Sequence, residues 1–392
     1  MNRFLILISL FCNVFALLSV IWILVPAPFY SVWLYSVAVS EWSLWLGIIA
    51  LIGIICAIIA CVFYQSGGVA IISIIIGATA FLISLYPPFT SLQRAREKNV
   101  SLSFRQYFSG LTNGKSNHQF TTHVFKSGET DLKMDVFVPP ENVVANGASV
   151  IVIHGGSWNA GGRGDFPQWN VWLAENGFTV FDIDYTLAPQ PNYLTAIGDV
   201  KCAILQIRKR RAEFNIAPEK IVLLGRSAGA HLALIAAYSA NDAKLPASCG
   251  EKTDENSEKV RAVISFYAPT DLLWAYDNPA NRRVIDGAQT LSTFLGGSPH
   301  ESEEIRARFI LASPVERINE NSPPTLLMHG GKDQLVRPEN LNFPAEKLKQ
   351  SNIAHETLVI PYAQHGFDYN FNGWASQIAK PLMLDFLNKN TK

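Results

Sequence analysis

Charge is what the first quarter of this 392-residue sequence lacks: from Met1 to Tyr86 the only charged side chains are Arg3 and Glu41. A stretch that poor in charge cannot serve as the solvated surface of a globular domain. Over the whole chain neither sign is in surplus, with 32 basic and 32 acidic residues. That balance argues against nucleic acid as a partner. The short runs Lys209-Arg210-Arg211 and Arg94-Ala95-Arg96 are too brief for such a patch and read as solvated helix faces. Cysteine is also scarce, at five residues, and no Cys/His spacing marks a metal centre or a disulfide framework. Cys12, Cys56 and Cys61 fall in apolar stretches, where they pack as small hydrophobes. Cys202 and Cys249 can pair or stay apart, which leaves the redox compartment open. Neither an internal repeat nor a low-complexity tract is visible.

What is there instead is a run of three apolar segments, near residues 4–25, 44–63 and 69–85. Crossing a bilayer core takes about 20 residues at helical rise. Backbone hydrogen bonds must be satisfied within the span, so three transmembrane helices are predicted in a membrane region of residues 1–86. Tyr64-Gln65-Ser66-Gly67-Gly68 reads as a tight turn between the last two, and Trp33, Trp42, Trp45 and Tyr86 fall near the expected interfaces. The first segment is too long for a signal peptide and lacks a clear cleavage site, so it is expected to stay as a helix. Three crossings place the remainder of the chain on the side opposite the N-terminus. Arg3 argues for an external location of that part, whereas Arg94, Arg96 and Lys98 after the third helix argue the reverse. The usual dominance of the first helix favours the external side.

Residues 87–120 are polar and read as a linker or an interfacial amphipathic piece. From residue 121 the pattern changes. Runs 149–154, 179–183, 220–224, 262–266, 324–328 and 356–360 are almost continuously apolar, as expected for strands covered on both faces. Helix-length stretches such as 194–214 and 228–239 separate them. This alternation predicts an α/β domain over 121–390, with a mostly parallel sheet and an antiparallel edge hairpin at 121–138.

Chemistry is concentrated in four loops. Gly225-Arg226-Ser227-Ala228-Gly229 lies between a predicted strand and a predicted helix. A serine at such a turn is held in strained backbone geometry, so its neighbours must be small. The following helix start puts the Ala228 N–H where negative charge would develop. Upstream, His154-Gly155-Gly156-Ser157-Trp158 follows a strand, and its small residues suit an oxyanion hole of Gly155, Gly156, Ser157 and Ala228. His154 itself is expected to orient that loop.

Asp333 and His365 each follow a later strand, which puts both at the carboxyl edge of the sheet, in the order serine, acid, histidine. A carboxylate on one ring nitrogen leaves the other free to take the serine proton. Asp184, Asp199, Asp271 and Asp368 are rival acids without that position, and Asp199 is expected to brace the site. His231, His329 and His355 read as surface or supporting residues. The segment 274–311 is either a cover over the site or an ordinary excursion.

The motifs HGGSW (154–158), DYTLAP (184–189), GRSAG (225–229), HGGKD (329–333) and QHGF (364–367) resemble the α/β-hydrolase superfamily. The similarity is greatest to esterases of the hormone-sensitive-lipase-like and kynurenine-formamidase-like kinds. Ser157 stands where hormone-sensitive-lipase relatives carry a further glycine, which brings the loop nearer to the formamidase type. The resemblance covers about residues 121–390 and implies a hydrolase of carboxylic esters or activated amides with no cofactor and no metal. It does not extend to the three apolar segments, which add the expectation of a membrane anchor. Its partners would be a small-molecule or lipid ester and the bilayer. Acyl transfer to a lipid or sugar acceptor, and a non-catalytic binding module on the same fold, are the alternatives.

Overall fold

A computed structural model describes residues 2–64, 67–110, 119–128, 131–250 and 256–392. Helix α1 (Asn2–Val20) opens the chain, followed by α2 (Tyr30–Glu41), α3 (Ser43–Tyr64), α4 (Gly67–Ser84), α5 (Tyr86–Glu97) and α6 (Phe104–Ser109). Among the described residues three helical stretches are long and apolar enough to cross a membrane: Arg3–Ile23, Ser43–Phe63 and Gly67–Glu97. The predicted turn at 64–68 falls partly outside the described residues, at 65 and 66. Within the bundle, Asn13 Nδ2 donates to the Ser73 carbonyl at 2.8 Å, and the Ser9 and Ser73 hydroxyls meet at 2.6 Å. Polar bonds of this kind join helices that apolar packing alone would leave free to slide.

Two features of this region are not legible in the sequence. Helix α2 is a short element between the first two long apolar helices, and its Trp33 is buried rather than placed at an open interface. In addition, 87–120 carries α5 and α6, whose Ala95 and Tyr107 are built into the core of the following domain. Tyr107 stacks on Trp374 with ring centroids 4.4 Å apart, and the Leu44 N–H donates to its hydroxyl at 3.2 Å. At the end of α2, Tyr362 donates its hydroxyl to Glu41 at 3.0 Å. Burial raises that carboxyl to about 8, so the second charge of the N-terminal region is muted by the protein around it.

Among the described residues the sheet has eight strands: β1 (Thr121–Lys126), β2 (Leu132–Phe137), β3 (Ser149–Ile153), β4 (Thr179–Ile183), β5 (Ile221–Arg226), β6 (Ala262–Phe266), β7 (Thr325–Gly330) and β8 (His355–Ile360). Their order is β1-β2-β4-β3-β5-β6-β7-β8. The first two strands form the antiparallel edge; β4, β3, β5, β6, β7 and β8 run parallel. Alternate residues of each central strand serve opposite cores. Ile151 and Ile153 face a cluster with Leu223, Val263 and Leu327, while Val150 and Val152 face one with Val222, Ile264 and Met328.

Helices α7 (Pro167–Glu175), α8 (Tyr193–Lys209), α9 (Arg211–Phe214) and α10 (Ala228–Tyr238) occupy the crossovers of the first half. The segment 274–311 is carried by α11 (Leu272–Asp277), α12 (Gly287–Leu295) and α13 (Glu303–Ala312), and α14 (Glu339–Gln350) and α15 (Trp374–Asn390) complete the domain. Cys202 and Cys249 are joined by a disulfide, with Cα atoms 5.6 Å apart.

Candidate active site

Ser227 occupies the single-residue turn between β5 and α10, with φ +53° and ψ −120°. A side-chain-bearing residue in that region is strained and is held there by its surroundings. Two glycines make room for the turn. A Cβ on Gly229 would run into the carbonyls of Ile153 and His154, and one on Gly225 into the Gly229 backbone. The Ser227 N–H donates to the Phe266 carbonyl at 2.9 Å.

One residue beyond Phe266, Tyr267 has φ +45° and packs its ring on His365 at 4.4 Å between centroids. Serine and histidine thus contact adjacent residues, Phe266 and Tyr267, at the end of β6. His365 Nδ1 donates to Asp333 Oδ2 at 2.7 Å. The other oxygen, Oδ1, accepts the backbone N–H groups of Leu335 at 2.8 Å and Val336 at 2.9 Å. Burial pushes the Asp333 carboxyl up, but the two imidazoles of His365 and His329 outweigh it and hold the group well below the usual carboxylate range. It is therefore ionised at neutral pH.

The rival acids are engaged elsewhere. Asp271 caps α11 by accepting the Trp274 N–H at 2.9 Å, and Asp184 pairs with Arg163 at 2.5 Å. Asp199 accepts from Lys126, Ser248 and the Thr186 N–H, which ties the 184–189 loop to the strand hairpin and the disulfide segment. Asp368 accepts from Arg226 Nε and from the Tyr267 hydroxyl, both at 2.5 Å. This last pair is invisible to sequence reasoning. In the serine motif Arg226 looks like no more than a variable position, yet its buried guanidinium lies over Phe166 at 4.5 Å and fixes Tyr267 through Asp368. His329 also stands nearer the chemistry than the sequence suggests. Its Nε2 is 3.1 Å from Asp333 Oδ2, and the four-residue spacing within HGGKD is the available signal.

Gly156, Ser157 and Trp158 all have positive φ, of 112°, 54° and 60°, in the loop after β3, and Ser157 and Trp158 line the same cleft as Ser227. A Cβ on Gly155 would lie 3.4 Å from that of Ser227. His154 donates to the Gly155 carbonyl at 2.6 Å and stacks on Tyr185, in keeping with an orienting part. His231 is fully buried: Trp158 Nε1 donates to its Nδ1 at 3.1 Å, and its Nε2 donates to the Ala312 carbonyl at 2.8 Å. Burial pushes its pKa down to about 4, so it stays neutral and fixes Trp158 as a wall of the site. His355, half-buried, meets the Ile353 carbonyl away from the site.

Farther along, the same loop is tied to β4 by Asp182, which accepts from the Gly164 N–H at 2.8 Å and Asn170 at 2.7 Å. Burial raises this carboxyl to about 7 despite those bonds and the nearby Arg226. An unfolded aspartate titrates near 3.9. Because the folded value is the higher, the group's contribution to stability is complete below about pH 4 and is lost as pH rises towards 7. The melting temperature of the native chain, measured against that of Asp182→Asn, should therefore fall progressively between those values. A constant difference across that range would contradict the assignment.

Ser227, Ala228, Ser157 and Trp158 open onto a largely apolar cleft. The far side is built by Ala275, Pro279, Ile285 and Leu291 from the 274–311 segment, and by Leu335 and Arg337 from the loop after β7. That segment is thus a cover over the serine rather than an excursion away from it.

Comparison with known proteins agrees with this architecture. The family model BD-FAE matches residues 134–348, more than half of the chain. The chain belongs to the BD-FAE family. Over 225 residues it is 31% identical to the esterase LipC of Mycobacterium tuberculosis, covering 56% of this chain and 53% of that one. The probable carboxylic ester hydrolase LipM of the same organism is 27% identical over 247 residues, which cover 60% of this chain and 53% of LipM. The chain spans about half the length of the curated relatives it matches. Among solved structures, the esterase Est2 of Thermogutta terrifontis superposes with a TM-score of 0.55 at 25% identity, covering 69% of this chain and 92% of that one. The α/β-hydrolase fold of this BD-FAE member is therefore shared with structurally known esterases. The matched range leaves out the helices before β1 and begins within β2.

Proposed function

We propose that this BD-FAE member is a membrane-anchored serine hydrolase that cleaves carboxylic esters through an acyl-enzyme on Ser227. The observation that carries the reading is the pairing of His365 with Asp333 at 2.7 Å, together with a strained serine that faces an apolar cleft. Ser227 Oγ attacks the ester carbonyl while His365 takes its proton. The oxyanion is met by N–H groups of the Gly155–Ser157 loop and of Ala228 at the start of α10. Collapse expels the alcohol, which receives its proton from His365. Water, activated by the same imidazole, then releases the acid and restores the serine. The similarity to LipC and LipM supports ester hydrolysis as the reaction class. A fluorophosphonate probe should label the full chain at Ser227 and nowhere else. Absence of labelling in folded protein would overturn the reading.

Residues 1–86 are proposed to form the membrane region and residues 121–390 the catalytic domain, held on the external side. Arg3 before the first span supports that orientation. So does the Cys202–Cys249 disulfide, since such bonds persist in oxidising compartments. Alkaline phosphatase fused after Asn99 should be active in bacterial cells, whereas a fluorescent protein fused there should stay dark. The opposite pattern would place the hydrolase in the cytoplasm.

A further inference from the structure

The N-terminal region packs directly behind one wall of the cleft. Leu335, two residues beyond Asp333, lines the cleft and also packs against a small apolar cluster of Ala27, Trp33, Val37 and Val284. Ala27 lies in the loop between the first span and α2. Its N–H donates to Gln334 Oε1 at 2.7 Å, and Asn281 Nδ2 donates both to its carbonyl at 2.7 Å and to Gln334 Oε1 at 2.9 Å. Gln334 Nε2 in turn donates to Gln364 Oε1 at 3.2 Å. The two glutamines are the chain neighbours of Asp333 and His365. A second hollow, bordered by Pro26, Ala27 and Gln334, shares Ala280 and Arg337 with the cleft. The cleft and this hollow therefore adjoin at Ala280 and Arg337, and the hollow reaches the chain just past the first span.

The other face of α2 is open. Phe29, Tyr30 and Leu34 are 54%, 53% and 55% exposed, next to the exposed Leu24 and Val25. From Leu24 to Ser40 there is no charged residue. An uncharged, aromatic-rich surface continuous with membrane spans belongs in the headgroup and acyl boundary of the bilayer.

We infer that α2 lies in the membrane interface and that the cleft draws its substrate sideways from the bilayer, so that the natural substrate is an amphiphilic ester whose acyl chain resides in the leaflet. This rests on the hydrolase reading above and names the substrate class of that same site. Entry beside α2 spares the acyl chain an exit into water, where every exposed methylene is unfavourable.

The test uses the full chain reconstituted in phosphatidylcholine vesicles and two probes: p-nitrophenyl acetate in the water and p-nitrophenyl palmitate in the bilayer. A Tyr30→Glu/Leu34→Glu double variant puts charge on the open face, which does not touch the cleft. Turnover of the palmitate probe should drop tenfold or more, while that of the acetate probe stays within twofold. The milder Leu34→Gln, which keeps the helix, should move the same ratio in the same direction by a smaller factor. Equal losses on both probes, or an unchanged ratio in both variants, overturns the inference. If the unaltered chain hydrolyses neither probe, the hydrolase reading itself fails.

Discussion

Ser227→Ala should abolish turnover of a p-nitrophenyl acyl ester, by about 10⁴-fold or more, while far-UV circular dichroism and the melting transition stay close to those of the parent. The reason is how little the fold asks of the hydroxyl. What holds the turn is the backbone: the Ser227 N–H bonded to the Phe266 carbonyl, and the close approach of Gly225 and Gly229 to neighbouring backbone. Alanine keeps all of this and adopts the φ of +53° at a cost similar to that of serine. It removes only the atom that would carry the acyl group. Residual turnover near the parent level would mean that another nucleophile acts.

Asp333→Asn should reduce kcat by roughly 10³- to 10⁴-fold with little change in KM. The direction comes from the hydrogen bonds around the carboxylate. Oδ1 accepts two backbone N–H groups, from Leu335 and Val336, so an asparagine must turn its carbonyl oxygen to that side. Its amide nitrogen then faces His365 Nδ1, where the carboxylate had accepted at 2.7 Å. Two donors cannot face each other, so the ring proton moves to Nε2, and the nitrogen meant to take the serine proton is already occupied. The loss should therefore appear in the chemical step rather than in binding. His329→Gln is the comparison that separates this from a general weakening of the loop. His329 approaches Asp333 at 3.1 Å without touching His365's other nitrogen, so its replacement should cost far less than Asp333→Asn. Comparable losses in both variants, measured as kcat on the same ester, would argue that Asp333 works by charge alone and not by setting the tautomer.

Much of this architecture is legible in the chain itself, and the reason is periodicity and local steric demand. The strand runs at 149–154, 179–183, 220–224, 262–266, 324–328 and 356–360 each fall on an observed strand, because a parallel sheet covered on both faces needs unbroken apolar segments. The elbow at Ser227 is legible because its geometry tolerates only small neighbours, which leaves a readable mark in the chain. Asp333 and His365 stand out by their order and by their place after strands, which is enough to select the sheet edge.

What the chain could not disclose is whatever depends on contacts between distant residues. Which carboxylate reaches the imidazole is a matter of distances, and Asp368 is only three residues from His365 yet bonds to Arg226 and Tyr267 instead. The support that His231 lends Trp158, and that Arg226 lends Tyr267 through Asp368, has no sequence period at all. Residues 26–37 look like an ordinary connection between two spans. Only the folded chain brings Ala27 to Gln334, 307 positions away, and packs Leu335 of the cleft wall against a cluster that includes Trp33 and Val37. Composition and spacing thus determined which segments are apolar enough to span a bilayer, which form the sheet and which loops bear the reactive groups, since those depend on local burial and backbone geometry. The pairing of acid with histidine and the cover over the serine were decided by tertiary packing, since each arises only when segments far apart in the chain exclude water together.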